Sequence, residues 1–317
     1  MDASPKLRAR SLGSKIRDFG ILGAMLILIV VLSLTTDSFL SVRNLLNILE
    51  QWSPIGIMAV AGTLIIIAGG FDLSVGAAFA LSGVVTAVVA QNVSPPVGVL
   101  AGIACGVLLG LINGLLSTVG RMNVFVVTLG TSIVYAGLGA AVTGGAVQVV
   151  TDPAFGFALQ EIFGVNAMIW VFLVVVVILT WVLTRTNLGR YLMAVGGKEE
   201  AARLAGVRVT RVHIMVFLIS GALIGIAAVL FASRSLSVNA VSMNAVAFNV
   251  WTAMLLGGNS IKGGEGAIWR TVVGVMLLAL IGNGFDLLGI APLYQQVVTG
   301  VILLGAIALD TWTRRAR

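Results

Sequence analysis

The sequence predicts an all-α protein, a polytopic membrane helix bundle of about ten transmembrane helices, with a broken or re-entrant segment near residues 69–76 and both termini in the cytoplasm. Three observations lead there. Hydrophobic residues make up 59% of the chain and charged residues only 10%, whereas a soluble domain carries about 25% charged residues. So few charges cannot coat a water-facing surface, and most of the exterior must meet lipid. Apolar stretches able to cross ~30 Å of hydrocarbon recur along the whole chain, and its basic residues alternate between the two sides of those stretches.

The elements follow in order. Lys6, Arg8, Arg10, Lys15 and Arg17 form a basic cytoplasmic segment, 1–20, before the apolar run 21–36. Thr35-Thr36-Asp37-Ser38 stands where a signal peptide would carry small residues for cleavage, so the run is a first span. Further spans fall at 52–68, 75–91, 97–119, 123–143, 167–184, 212–232, 246–257, 269–288 and 293–312. The eighth is too short to cross as a lone helix, and either continues into its neighbours or belongs to a broken helix. Residues 21–312 make one transmembrane domain and 313–317 a cytoplasmic tail.

Charge tests this count. With the N-terminus inside and the sides alternating, all of the 19 Lys and Arg residues except Arg43 and Arg234 fall on the inner side, the positive-inside asymmetry. An odd number of spans would break it. The net charge of +7 is therefore a topology signal and implies no nucleic acid. The longest outer loop, 144–166, carries Asp152 and Glu161 and no basic residue, and the longest inner loop, 185–211, is rich in Arg. A single cysteine, Cys105, and a single histidine, His213, exclude an internal disulfide framework and a Cys/His metal cluster. The 39 glycines point to closely packed helices, because small residues let membrane helices approach.

Gly69-Gly70-Phe71-Asp72-Leu73-Ser74-Val75-Gly76 is the sharpest local feature. Paired glycines break a helix, and a carboxylate near membrane depth costs about 2.5–3.5 kcal/mol. Two compatible readings remain: a half-helix joint lining a solute path, and an inner-face turn whose Asp72 caps the next helix near Ser74. In the inner loop, Glu200-Ala201-Ala202-Arg203-Leu204-Ala205-Gly206 reads E-A-A-x-x-x-G, a short helix ending at a glycine. Flanked by Arg190 and Arg208, it either docks into a groove on a soluble partner or is a solvated loop that enforces topology. Asn113, Asn249 and Asn283 are amides in or at the ends of apolar spans; they either bond neighbouring helices or face a polar cavity.

Taken in order, Gly69 to Gly76, Val124 to Thr131, Thr143-Gly144-Gly145, Leu188 to Gly196 with Glu200 to Val207, Leu256 to Gly266, and Asn283-Gly284 with Leu287-Leu288-Gly289 resemble the permease family of ribose-type ATP-binding-cassette importers. The likeness spans residues 44–312. It implies a multi-pass permease of the bacterial inner membrane, carrying a small polar solute such as a monosaccharide or polyol, with no catalysis or cofactor of its own. It implies a second permease copy or paralogue, a periplasmic solute-binding protein, and a cytoplasmic ATP-binding subunit holding ATP and magnesium. Arg190, Glu200, Ala201, Ala202 and Gly206 would couple to that ATPase. Gly69, Gly70, Asp72, Ser74, Asn113, Asn249 and Asn283 would belong to the path or its broken helix. One departure matters: Ala247 and Asn249 stand where the family usually carries Glu and Asp, so the solute does not transfer from ribose.

Two other classes fit less well. An ion-coupled transporter needs intramembrane acids, and Glu50, Asp72 and Asp286 all fall near predicted span ends. A membrane enzyme needs a base and nucleophile in mutual reach, and His213 stands among arginines at a boundary. No G-x-x-x-x-G-K-[ST] is present to hold ATP phosphates, so energy must come from another polypeptide.

Overall fold

Helix punctuation sets the architecture. The computed structural model describes residues 12–243 and 246–315; Lys6, Arg8 and Arg10 of the basic segment, and Arg317 of the tail, lie outside the described residues. Helix α1 spans Leu12–Thr35 and α2 Val42–Ile67, the latter started by the Ser41 hydroxyl accepting the Asn44 amide. Helices α3 (Val75–Asn92) and α4 (Pro95–Thr118) are separated by a turn, with Pro95 at the first position of α4, where its missing N–H is harmless. Helix α5 (Val124–Thr143) begins where the Asn123 side chain accepts the Phe125 amide and ends at Gly144. Then follow α6 (Ala167–Arg185), α7 (Asn187–Gly197), α8 (Glu199–Leu204), α9 (Val209–Ser235), α10 (Ala240–Met243), α11 (Val246–Leu256), α12 (Ile268–Leu287) and α13 (Pro292–Arg315).

Seven of these, α2 to α6, α9 and α12, are long and apolar enough to cross a membrane; the apolar segments Ile21–Thr35, Val246–Leu256 and Leu293–Ala308 are shorter. Against the expected count of about ten, the described residues thus hold seven candidate spans and three shorter apolar segments. Helix α11, at 11 residues, rises only ~16 Å, about half the hydrocarbon thickness. Four helices form the middle and three the periphery: 83% of the most apolar window of α2 is buried, against 28% for α5. The loop after α5 closes one end with two short antiparallel ladders, β1 (Gln148–Val149) with β4 (Ser237–Val238) and β2 (Glu161–Ile162) with β3 (Val165–Asn166). Between them a 3-10 helix, Pro153–Leu159, is pinned by Ser233, whose hydroxyl donates to the Phe155 carbonyl (2.5 Å) and accepts the Ala158 amide (2.9 Å).

The ends sort by side. Residues 69, 121, 196–198, 208–213 and 262 border one cleft, and residues 38–50 with 161–166 border another. At the second, Glu50 accepts from Arg234 at 2.5 Å and from Asn166 at 2.6 Å. Arg43 and Arg234, the two arginines expected on the outer side, both lie near Glu50 at this second cleft.

Helices α4 and α9 meet backbone to backbone along Gly102, Gly106 and Gly110 on one and Gly221 and Gly225 on the other. A Cβ at Gly106 would run into the Gly221 carbonyl, and one at Gly110 into the carbonyl of Phe217. This is small-residue packing of the kind lipid requires, where no hydrophobic force draws helices together. Gly106→Val should destabilise the purified protein by about 1–3 kcal/mol, visible as a lower melting temperature in detergent. Gly130→Ala, at a position with open space around it, should leave it unchanged; equal effects would mean that the stripe is not a tight contact.

Candidate functional site

The glycine pair after α2 ends that helix by a Schellman closure. Gly69, at φ +85°, donates to the Ile66 carbonyl and Gly70 to that of Ile65, both at 2.9 Å. The chain then climbs back: Asp72 borders the same small void as Gly62, Ile66, Ser220 and Met254. The Asp72 carboxylate accepts the Ser74 amide (2.8 Å) and hydroxyl (2.6 Å), closing an Asx turn immediately before α3. The cap expected of Asp72 is thus built into the turn that leads back to α3. Gly196 and Gly264 approach this turn from two other parts of the chain; Gly264 donates to the Ile67 carbonyl at 2.9 Å, and a Cβ at Gly196 would overlap that carbonyl.

A polar chain holds the re-entrant turn against α4 and α5. The Asn113 amide donates to the Ser74 hydroxyl (2.8 Å) and accepts from Thr131 (2.8 Å) and Tyr135 (3.3 Å). Thr128 donates to the Phe71 carbonyl at 3.0 Å. From the other side Trp251 of α11 donates to the Asp72 carbonyl at 3.0 Å, its ring lying 5.8 Å from Phe71 and 5.3 Å from Phe248. Asn113 is thus a buried structural amide. Asn283 is another: it exchanges reciprocal hydrogen bonds with Asn44, at 2.8 and 3.0 Å, joining the start of α2 to the end of α12.

Asn249 has a different setting. It lines an open groove of about 470 Å³ between α11 and α13, with Phe248, Gln295, Gln296 and Thr299. Gln296 is exposed and Asn249 and Gln295 are half-buried, while Thr299 is buried and the Gln295 amide packs against Gly282 of α12. Sequence reasoning missed Gln295, Gln296 and Thr299, although their placement within one helical turn of the apolar run 293–312 was a signal for a polar face. Ala247 is buried, so the two departures from the usual acids part company: one faces the packing and the other the groove.

The inner loop folds into α7 and α8. Helix α8 ends by the same closure as α2: Gly206, at φ +85°, donates to the Arg203 carbonyl and Val207 to that of Ala202, both at 3.0 Å. Glu200 and Ala201 are exposed, Ala202 is buried, and Glu199 pairs with Arg203 at 2.7 Å. Arg190 is exposed and donates to Asn187. Beside α8, Tyr191, Gly206, Arg211 and Met215 border a shallow groove of about 380 Å³. Among the described residues no group of three or more His, Cys, Asp or Glu is placed to hold a metal ion.

Comparison with known proteins gives a consistent result. Residues 44–307 match the family described as branched-chain amino acid transport system / permease component. The ribose import permease protein of Bacillus subtilis is 36% identical over 293 residues, covering 90% of each chain. The L-arabinose transport system permease protein of Escherichia coli is 35% identical, covering 94% of this chain and 92% of its own. A probable ABC transporter permease protein of Escherichia coli is 39% identical, covering 92% and 89%.

Asn113→Leu should lower stability by about 1–2 kcal/mol, since it removes the buried bonds to Ser74, Thr131 and Tyr135 that tie the turn to α4 and α5. Thermal denaturation in detergent measures it; Thr131→Val, which removes one bond, should cost less. A neutral Asn113→Leu would mean that the network does not hold the turn.

Proposed function

The chain belongs to the family of branched-chain amino acid transport system permease components, a multi-pass inner-membrane transport subunit and not an enzyme, and from that premise we propose that it carries a monosaccharide or related polyol through a path bordered by the α11–α13 groove. The groove is the observation that supports this reading. Amides at membrane depth are costly against lipid, so the accessible amides of this groove, Asn249 and Gln296, face a water-filled path or a second permease copy or paralogue. A hydroxylated neutral solute exchanges its water hydrogen bonds for theirs. No charged residue is among the groove's lining residues, which disfavours a zwitterionic amino acid, whose two charges would need partners. The relatives named for ribose and L-arabinose point the same way.

An importer permease works with an ATPase and a solute-binding protein. In our reading the cleft crowded with Arg and Lys is cytoplasmic, as are both termini, and the far end receives a periplasmic solute-binding protein. The exposed face of α8, with Glu200 and Ala201, docks into the ATP-binding subunit, which holds the ATP and magnesium. Gly69, Gly70, Asp72, Ser74 and Asn113 support the path by fixing the re-entrant turn to which α11 is tied through Trp251. Asn283 stiffens the bundle through Asn44.

Two experiments test this. Asn249→Leu should lower solute uptake in proteoliposomes by about tenfold, the size of one lost polar contact, while assembly and basal ATPase activity stay intact. Full uptake would remove Asn249 from the path, and loss of assembly would make it a packing residue. Gly206→Pro should reduce co-purification of the ATPase, because proline is locked near φ −65° and has no N–H to give Arg203; Glu200→Lys should do so by reversing charge. Normal co-purification and uptake in both variants would exclude α8 as the coupling element.

A further inference from the structure

The cleft at the basic end has properties that transport does not require. It measures about 1390 Å³ and is bordered by six cationic side chains, Arg121, Lys198, Arg203, Arg208, Arg211 and Lys262, all exposed to it or to solvent. Glu199 is the acid among its lining residues, and its Oε1 is already engaged by Arg203 at 2.7 Å. The positive-inside rule asks only that basic residues lie on one side. It does not ask that basic residues from three separate stretches of chain (121, 198–211 and 262) converge on one cavity, where their mutual repulsion is unfavourable until an anion enters.

Two independent features favour an anion there. Helix α9 begins in the cleft, with Val209, Thr210 and Arg211 in its lining. The N-cap residue of this 27-residue helix, Arg208, supplies no side-chain acceptor, so the positive end of the helix dipole is open to an outside oxyanion. Arg121 is held at φ +53°, a conformation uncommon outside glycine and one that marks binding sites when surroundings enforce it. Gly69 and Gly196 lie in the wall of the same cleft, so an occupant touches the junction at the end of α2.

We propose that this cleft binds a phosphate group, carried either by an anionic phospholipid headgroup or by a soluble phosphorylated compound. Phosphate oxygens match the forked donors of arginine and the amides of a helix start. Basic pockets between helix ends on the cytoplasmic side are suited to lipid headgroups, and the volume leaves room for what the phosphate is attached to. The assignment does not depend on the solute; because Lys198, Glu199 and Arg203 of the lining lie in or beside α8, it is tested on this chain without the ATPase bound.

The test uses the full-length chain in nanodiscs of phosphatidylcholine with or without phosphatidylglycerol. Native mass spectrometry reads retained lipid, and melting temperature is followed with pyrophosphate against sodium chloride at matched ionic strength. Retention of phosphatidylglycerol that pyrophosphate does not displace assigns the lipid; stabilisation by pyrophosphate with displacement of the lipid assigns the soluble source. In either case Arg121→Gln with Arg211→Gln should weaken binding by about tenfold, and Lys262→Gln, on an exposed turn, gives a milder test if the arginine pair fails to fold. Arg185→Gln, outside the cleft, should have no effect. Absence of preference for either anion, or equal losses in Arg185→Gln and the cleft variants, would overturn the proposal.

Discussion

Much of this structure depends on bare backbone meeting bare backbone at one end of the bundle. The turn after α2, the end of α7 and the segment before α12 approach so closely that only Gly196, Gly263 and Gly264 fit, while Gly69 is required by its φ of +85°, and the Gly264 amide donates to the Ile67 carbonyl. A helix that ends inside a bundle leaves orphan carbonyls, and in lipid these have no water to turn to. Here they are satisfied by the glycine amides of the turn itself and by the neighbouring strand of chain. The closure of α2 is thus a condition for everything that follows it: the re-entry of residues 70–74, the position of Asp72, and the start of α3.

The same limitation of solvent explains why the polar residues of the interior form chains of bonds. Ser74, Asn113, Thr131 and Tyr135 are each modest donors or acceptors, worth little singly in a membrane. Joined through one amide, they satisfy one another and fasten two helices, α4 and α5, to a turn that has no helical hydrogen bonds of its own. Trp251 extends the fastening to α11, so the short helix bordering the groove is mechanically tied to the broken one. Motion of either would be felt by the other, as a transport cycle needs.

In the proposed function, the work divides between two faces built on opposite principles. The groove at Asn249 offers hydrogen bonds without charge, which suits a neutral hydroxylated solute that must leave as readily as it enters. The inner face offers charge and a short exposed helix, suited to macromolecular docking and to anions. Helix α8 has only six residues, too few to be stable alone; its closure at Gly206 and the burial of Ala202 hold it in place.

Composition and the placement of Arg and Lys determined by themselves that the chain is a multi-pass helical membrane protein, because lipid tolerates so few charges that their positions mark the sides. Glycine positions likewise announced the ends of α2 and α8, since a left-handed closure is a local requirement that the sequence states directly. The roles of the three asparagines were decided only by tertiary structure. Asn113, Asn249 and Asn283 look alike in an apolar run, and whether an amide bonds a neighbour or borders a groove depends on which helix packs opposite it. The amides of α13 were overlooked for the same reason, and the convergence of six cations on one cleft could not be seen at all. Local chemistry is written along the chain, but partnership between distant residues is settled by how helices with small residues are able to approach.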